Sequence, residues 1–180
     1  PRQLPGPWDA GWALDFHSQF AGADWNRSPT GELAYRLKYQ GDLSVLATLI
    51  EQATALTSDH PELIQVDYVI PVPPSVERAS DPVSSFANAL AKRLGLTFLP
   101  VLVKSKHTAP QKEMHTLAQK QVNVAGAFEV NSAIRGKRLL VVDDLFDSGA
   151  TLKEIYRVLH GSGAASVNIL TLTRTIHADA

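Results

Sequence analysis

An α/β fold built around a parallel sheet is what this sequence predicts, on three observations. Apolar runs of strand length alternate with stretches whose apolar residues recur at helical spacing. Such alternation pairs strands in parallel through right-handed crossovers. The 180 residues, 44% hydrophobic and 19% charged, suit one domain with a substantial core.

From the N-terminus, residues 1–29 are rich in Pro, Gly, Ala and aromatics, and Trp8, Trp12, Phe16, Phe20 and Trp25 are too dense for a disordered tail. A short β arm or hairpin carrying Leu14, Phe16 and Phe20 is expected there, packed on the body. Ser28-Pro29-Thr30-Gly31-Glu32 starts a helix through Leu33, Tyr35, Leu37 and Tyr39, and Gly41 breaks it. Asp42 reads as the N-cap of a longer helix with Leu43, Leu46, Leu49, Ile50, Ala53 and Leu56 on its apolar face. Residues 66–72 form the first core strand and run into prolines. Asp81-Pro82 reads as N-cap and first helical residue, Phe86, Ala87, Leu90 and Leu94 as the buried stripe, and Gly95 as the stop. Residues 97–103 read as a second strand. Residues 104–121 are polar, basic and aperiodic, a long loop. Residues 125–130, 139–142 and 167–173 supply the remaining strands.

The most telling stretch joins the strand 139–142 to a loop and a helix. Four apolar residues run into Asp143-Asp144, then Leu145-Phe146, then Asp147-Ser148-Gly149-Ala150-Thr151. A helical pattern begins at once, with Leu152, Ile155, Tyr156 and Leu159 on one face. The paired acids therefore sit at the carboxyl end of a buried strand, where open α/β sheets bind ligands. The loop opens a helix whose first N–H groups and dipole favour an anion, usually phosphate. Gly149 permits positive φ and close approach, Ser148 and Thr151 add hydroxyl donors, and Ala150 leaves room. Asp143 and Asp144, acceptor-only when ionised, suit sugar hydroxyls or a metal-bearing ligand. A site taking phosphate on one side and a diol on the other fits a ribose 5-phosphate.

Position for position, this segment resembles the signature of the type I phosphoribosyltransferases. The resemblance implies a Rossmann-like parallel sheet flanked by helices, with a small N-terminal hood. It implies one domain over residues 1–180, with 1–40 as hood or arm and 66–175 as core. It further implies Mg²⁺-dependent transfer from phosphoribosyl pyrophosphate to a nucleophile. Asp143 and Asp144 would hold the ribose hydroxyls, with Mg²⁺ bridging through the ligand. Asp147, Ser148, Gly149, Ala150 and Thr151 would hold the 5-phosphate, and Asp147 would also serve as a base near the anomeric carbon. The loop after the first strand, Ser75 to Arg78, would face pyrophosphate through backbone amides, since Pro73 and Pro74 have no N–H. By the same resemblance Arg78 would add a bidentate phosphate contact, the alternative being a rigid Pro-rich turn with a solvated Arg. Lys104, Lys106 and Lys112 would screen the leaving charge from a closing loop.

Leu37-Lys38-Tyr39, Pro71-Val72-Pro73, Gln111 and Asn123-Val124-Ala125-Gly126-Ala127-Phe128 extend the likeness to the ComF-like, competence-associated branch. The chain departs from that branch in reading Glu77-Arg78-Ala79-Ser80 after the strand prolines and in lacking its N-terminal cysteines. Two other readings stay open: a phosphoribosyl- or nucleotide-binding regulator or DNA-uptake accessory without turnover, and a single-strand nucleic-acid binder.

Composition bounds the rest. A formal charge of −1 does not favour a wholesale polyanion binder. The absence of cysteine removes disulfides and zinc ribbons and is compatible with the cytoplasm, the expected location. No apolar run approaches a membrane span and no signal peptide is visible. The chain opens on Pro1 rather than Met, so a native N-terminal part is expected to precede it. His107 and His115 lack metal-ligand spacing, and His60 and His177 read as surface residues. A homo-oligomer is compatible with all of this.

Overall fold

The computed structural model describes residues 1–76, 80–106, 108–109 and 111–176. A six-stranded sheet organises the chain. Its strands are β1 (Arg2–Gln3), β2 (Ala10–Phe16), β5 (Tyr68–Pro71), β6 (Thr97–Phe98), β9 (Arg138–Phe146) and β10 (Ser166–Arg174), in the spatial order β1-β2-β10-β9-β5-β6. Every pairing is parallel except that of β1 with β2. Two antiparallel ribbons stand outside it: β3 (Ser18–Ala21) with β4 (Asp24–Arg27), and β7 (Leu102–Lys104) with β8 (Phe128–Val130).

Alternation along the strands sorts the core into two layers. Leu139 and Val141 of β9, with Val167 and Ile169 of β10, face α5 (Ala150–Gly161) and α4 (Leu117–Val124). Leu140, Val142, Leu170 and Leu172 face the layer of α1 (Pro29–Gln40), α2 (Leu46–Asp59) and α3 (Pro82–Leu94). The helix boundaries follow the capping residues. Ser28 caps α1 by accepting from the Gly31 amide, and Gly41 closes it at φ +62°. Asp81 caps α3 by accepting from the Ser84 amide. Asp42 caps a 3₁₀ turn, Leu43–Val45, that leads directly into α2.

Four expectations change. The segment 1–40 divides instead of forming one hood. β2 lies inside the central sheet, hydrogen-bonded along β10, and only the β3–β4 hairpin, with Phe20 against Trp25, stands apart. The core therefore begins at β2, well before residue 66. Residues 97–103 split into β6 and β7, which belong to different sheets because Leu99 to Val101 turn the chain away. His60 is half-buried, its ring stacked 3.9 Å from that of Trp12. Finally, residues 104–121 are not one structureless loop. They contain a 3₁₀ turn, Gln111–Glu113, and most of α4, whose Thr116 and Gln119 form a reciprocal capping box.

Asn123 fastens this segment. Its side-chain oxygen accepts from the Ala109 amide at 3.0 Å, and its amide donates to the Ala109 carbonyl at 2.7 Å and to Gln111 Oε1 at 2.8 Å. Asn123→Ala removes all three bonds. It is expected to cost about 1–3 kcal/mol and to raise hydrogen exchange in α4 well above that in α5. Equal protection in the variant and the native chain would mean that packing alone holds α4.

Candidate functional site

A cavity of about 390 Å³ opens at the carboxyl end of β9 and β5. Its floor is the β9 end and the loop beyond it, with Asp143, Asp144 and residues 147–151 all lining it. Ser75 and Val76 line it from the turn after β5, Lys38 and Tyr39 from the end of α1, and Lys104 and Glu113 from the β7–α4 segment. Strand alternation gives the two adjacent acids different neighbours. Asp144 shares the parity of Leu140 and Val142, whose side chains face the α1 layer, and there its Oδ2 meets Lys38 Nζ at 2.7 Å. Asp143 has the opposite parity, and its Oδ1 accepts from the Asp144 amide at 2.8 Å.

The loop turns on Gly149, which sits at φ +82° as the N-cap of α5 and contributes no capping side chain. A Cβ there would lie 2.9 Å from the Phe146 ring. The Ser148 hydroxyl accepts from the Ala150 amide at 3.3 Å. Asp147, at the head of the loop, has both oxygens engaged. One accepts from Lys120 Nζ and the other from the Thr175 hydroxyl at 3.2 Å. Across the cavity, Lys104 Nζ donates to the Ser75 carbonyl at 3.4 Å and to the Thr108 hydroxyl.

The electrostatics are uneven. Burial, joined by the adjacent Asp144 charge, pushes the Asp143 carboxyl well above the usual carboxylate range. Burial acts the same way on Asp144, but the Lys38 ammonium outweighs it and holds Asp144 below its ordinary value. Lys38 is raised in turn, its burial outweighed by Asp144. Burial lowers Lys104, which makes its charge easier to lose. The acids are thus not two equivalent ionised acceptors. Asp144 carries the charge and Asp143 tends to keep a proton, since like charges this close disfavour ionising both.

Among the sequence-predicted residues, Asp143, Asp144, Asp147, Ser148, Gly149, Ala150, Thr151, Ser75 and Lys104 share the cavity wall. Lys106 does not: it is exposed, away from the lining, with its charge acting on Glu154. Glu77, Arg78, His107 and His177 lie outside the described residues, as does the side chain of Lys112. Sequence reasoning missed Lys38 and Lys120 as partners of the acids. Leu37-Lys38-Tyr39 is a short motif that carried the first, but nothing local to Lys120 points to Asp147, 27 positions away. Among the described residues no cluster of three His, Asp or Glu side chains could cage a metal, and no helix is long and apolar enough to cross a membrane.

A family model described as phosphoribosyl transferase domain matches residues 84–178, just over half of the chain. The DNA utilization protein YhgH of Escherichia coli (strain K12) is 31% identical over 75 residues, covering 42% of this chain and 33% of that protein. Amidophosphoribosyltransferase of Homo sapiens is 33% identical over 107 residues, covering 59% of this chain and 19% of the human protein. The chain therefore spans a third or less of the length of these curated relatives. Adenine phosphoribosyltransferase from Saccharomyces cerevisiae superposes with a TM-score of 0.55 over 88% of this chain and 82% of that one, at 14% identity. That likeness is one of fold: an α/β unit with a mostly parallel sheet flanked by helices.

Proposed function

This chain belongs to the phosphoribosyl transferase domain family, and from that premise we propose that it transfers a phosphoribosyl group from phosphoribosyl pyrophosphate to a nucleophile. The observation that carries the reading is one cavity wall in which a carboxylate pair at the end of β9 is followed, after Leu145 and Phe146, by a glycine-turned loop at a helix N-terminus. The loop 147–151 takes the 5-phosphate on its N–H groups and the hydroxyls of Ser148 and Thr151. Asp144, ionised and oriented by Lys38, accepts from a ribose hydroxyl. Asp143, when protonated, both donates and accepts there. The Ser75 turn and Lys104 face the pyrophosphate, and Arg78 comes three positions after Ser75 in the sequence.

In the reaction the bond from the anomeric carbon to pyrophosphate breaks, and pyrophosphate leaves with the electron pair. The nucleophile's lone pair forms the new bond. Lys104, partly desolvated, favours the departing negative charge more than the ground state. Asp147 is a poor base while Lys120 and Thr175 occupy its oxygens, so a proton shed by the nucleophile passes to the departing pyrophosphate. The adjacent pair Asp143 and Asp144 suits Mg²⁺ that arrives on substrate phosphates rather than in a protein cage. Bound there, held by Asp143 and Asp144 through the ligand, it would neutralise pyrophosphate charge.

The test is pyrophosphate release from phosphoribosyl pyrophosphate with Mg²⁺, against a panel of bases and amines. Release that depends on one acceptor class is expected, and Lys104→Ala should lower kcat about tenfold or more while changing substrate affinity less. The likeness to a DNA utilization protein favours a second reading, a phosphoribosyl-ligand binder that serves DNA uptake without turnover. Saturable binding with no release across the panel would select that reading, and absence of both would overturn the two together.

A further inference from the structure

A phosphate cradle headed by a carboxylate presents a difficulty that the fold itself answers. Asp147 stands at the first position of the loop 147–151, directly before the amides and hydroxyls proposed for the 5-phosphate. An uncompensated carboxylate there would repel a dianion at short range. The compensating cation comes from another element. Lys120 of α4 places its Nζ on Asp147 Oδ2, with only 16% of its side chain exposed against 39% for Asp147. The contact is not an accident of a loose surface lysine. Asn123, one turn along α4, is triply bonded to Ala109 and Gln111, and the Gln111 amide donates to the Lys120 carbonyl at 3.4 Å. At the far end of α4, Glu154 of α5 accepts from the Gly126 amide at 3.1 Å. The backbone that carries Lys120 is thus tied on both sides.

Resting on the phosphoribosyl reading above, we propose that Lys120 is a phosphate-binding residue of this chain, acting as one unit with Asp147. An ammonium has three donors and Asp147 takes one, so the others remain for an anion on the loop. The pair makes the head of the cradle neutral, and a phosphate that settles on the loop turns it into a carboxylate–ammonium–phosphate bridge. Seating of α4 and occupation of the cradle then favour each other, because the same ammonium serves both. Asp147 accordingly acts as the counter-ion of Lys120, whose charge it offsets, rather than as a base.

Calorimetry with ribose 5-phosphate tests this on the full chain, using Lys120→Ala, Lys120→Arg, Asp147→Asn and the Lys120→Ala/Asp147→Asn double variant. Thermal unfolding confirms that each is folded. Lys120→Ala should weaken binding about tenfold or more, since it removes a charged donor and leaves a bare carboxylate beside the phosphate. Lys120→Arg should keep most of the affinity. The double variant should bind more tightly than Lys120→Ala, because the repulsive charge has gone, and the two substitutions should be clearly non-additive. Asp147→Asn alone should bind at least as tightly as the native chain. Native-like affinity in Lys120→Ala, or strict additivity in the cycle, would overturn the inference while leaving the phosphoribosyl reading intact. Failure of the native chain to bind either ribose 5-phosphate or phosphoribosyl pyrophosphate would overturn both.

Discussion

Gly149→Val should abolish binding of phosphoribosyl pyrophosphate while leaving the central sheet folded. At φ +82° a β-branched residue meets a steric cost of about 1–2 kcal/mol. The new Cβ would also lie 2.9 Å from the Phe146 ring, whose side chain is only 2% exposed and cannot move aside freely. Overpacking of this kind adds about 1–3 kcal/mol. The loop can relieve both only by moving its amides off the positions proposed for phosphate. Titration calorimetry should therefore show no measurable affinity, and far-UV circular dichroism a native spectrum with a lowered melting temperature. A Gly149→Val protein that binds phosphoribosyl pyrophosphate as the native chain does would remove the loop from the site.

The adjacent carboxylates should respond to amide substitution with opposite signs in stability and the same sign in binding. Asp144 is held below the ordinary carboxylate value by Lys38. Its contribution to stability is present above the unfolded-state pKa and is lost as pH falls through the folded value. Asp144→Asn removes the ion pair between Lys38 and Asp144, and should cost about 1.5–3 kcal/mol at neutral pH. Asp143 is raised by burial and by Asp144, so the folded state favours its proton. The destabilisation this causes grows as pH rises above the unfolded-state value and is complete above the folded value. Asp143→Asn keeps an oxygen to accept from the Asp144 amide and removes that penalty, so it should stabilise the fold at neutral pH and change it little in acid. Affinity for phosphoribosyl pyrophosphate should fall in both, by roughly 1.5–3 kcal/mol each. Denaturant melts of the two variants at neutral and acid pH separate these cases, and equal destabilisation by both would refute the unequal charge assignment.

The parts of the fold and site that could be read from sequence are those whose determinants are local. Apolar runs placed β5, β9 and β10, and Ser28, Asp81, Gly41 and Gly95 marked the ends of α1 and α3. The stretch from Leu139 to Thr151 carried strand, acids, loop and helix start in consecutive positions, so its cavity face was legible. Long-range partners were not. Lys38 and Lys120 each sit on a helix with no local sign of which carboxylate they meet. The helix α4 was hidden by its polar composition, although Thr116 and Gln119 hold the capping-box spacing that marks its start. β2 was hidden for a different reason. Its aromatics and small residues lack clean alternation, and its place in the sheet is decided by β10, a strand far along the chain.

That pairing of strands far apart in sequence has a consequence for how the protein is made. Asp9 and Val167, 158 positions apart, exchange hydrogen bonds, and β2 lies along β10 from Ala10 to Phe16. During synthesis β2 leaves the ribosome long before β10 and must wait for that strand before it finds its partner. Until then the apolar edges of β2 and β9 have nothing between them, a state prone to wrong pairing. Contacts of such high sequence separation also slow the folding search. The order of synthesis and the order of strands run against each other here, so the sheet closes only once β10 has been made. The strand that supplies Asp143 and Asp144 gains its second neighbour in that same step.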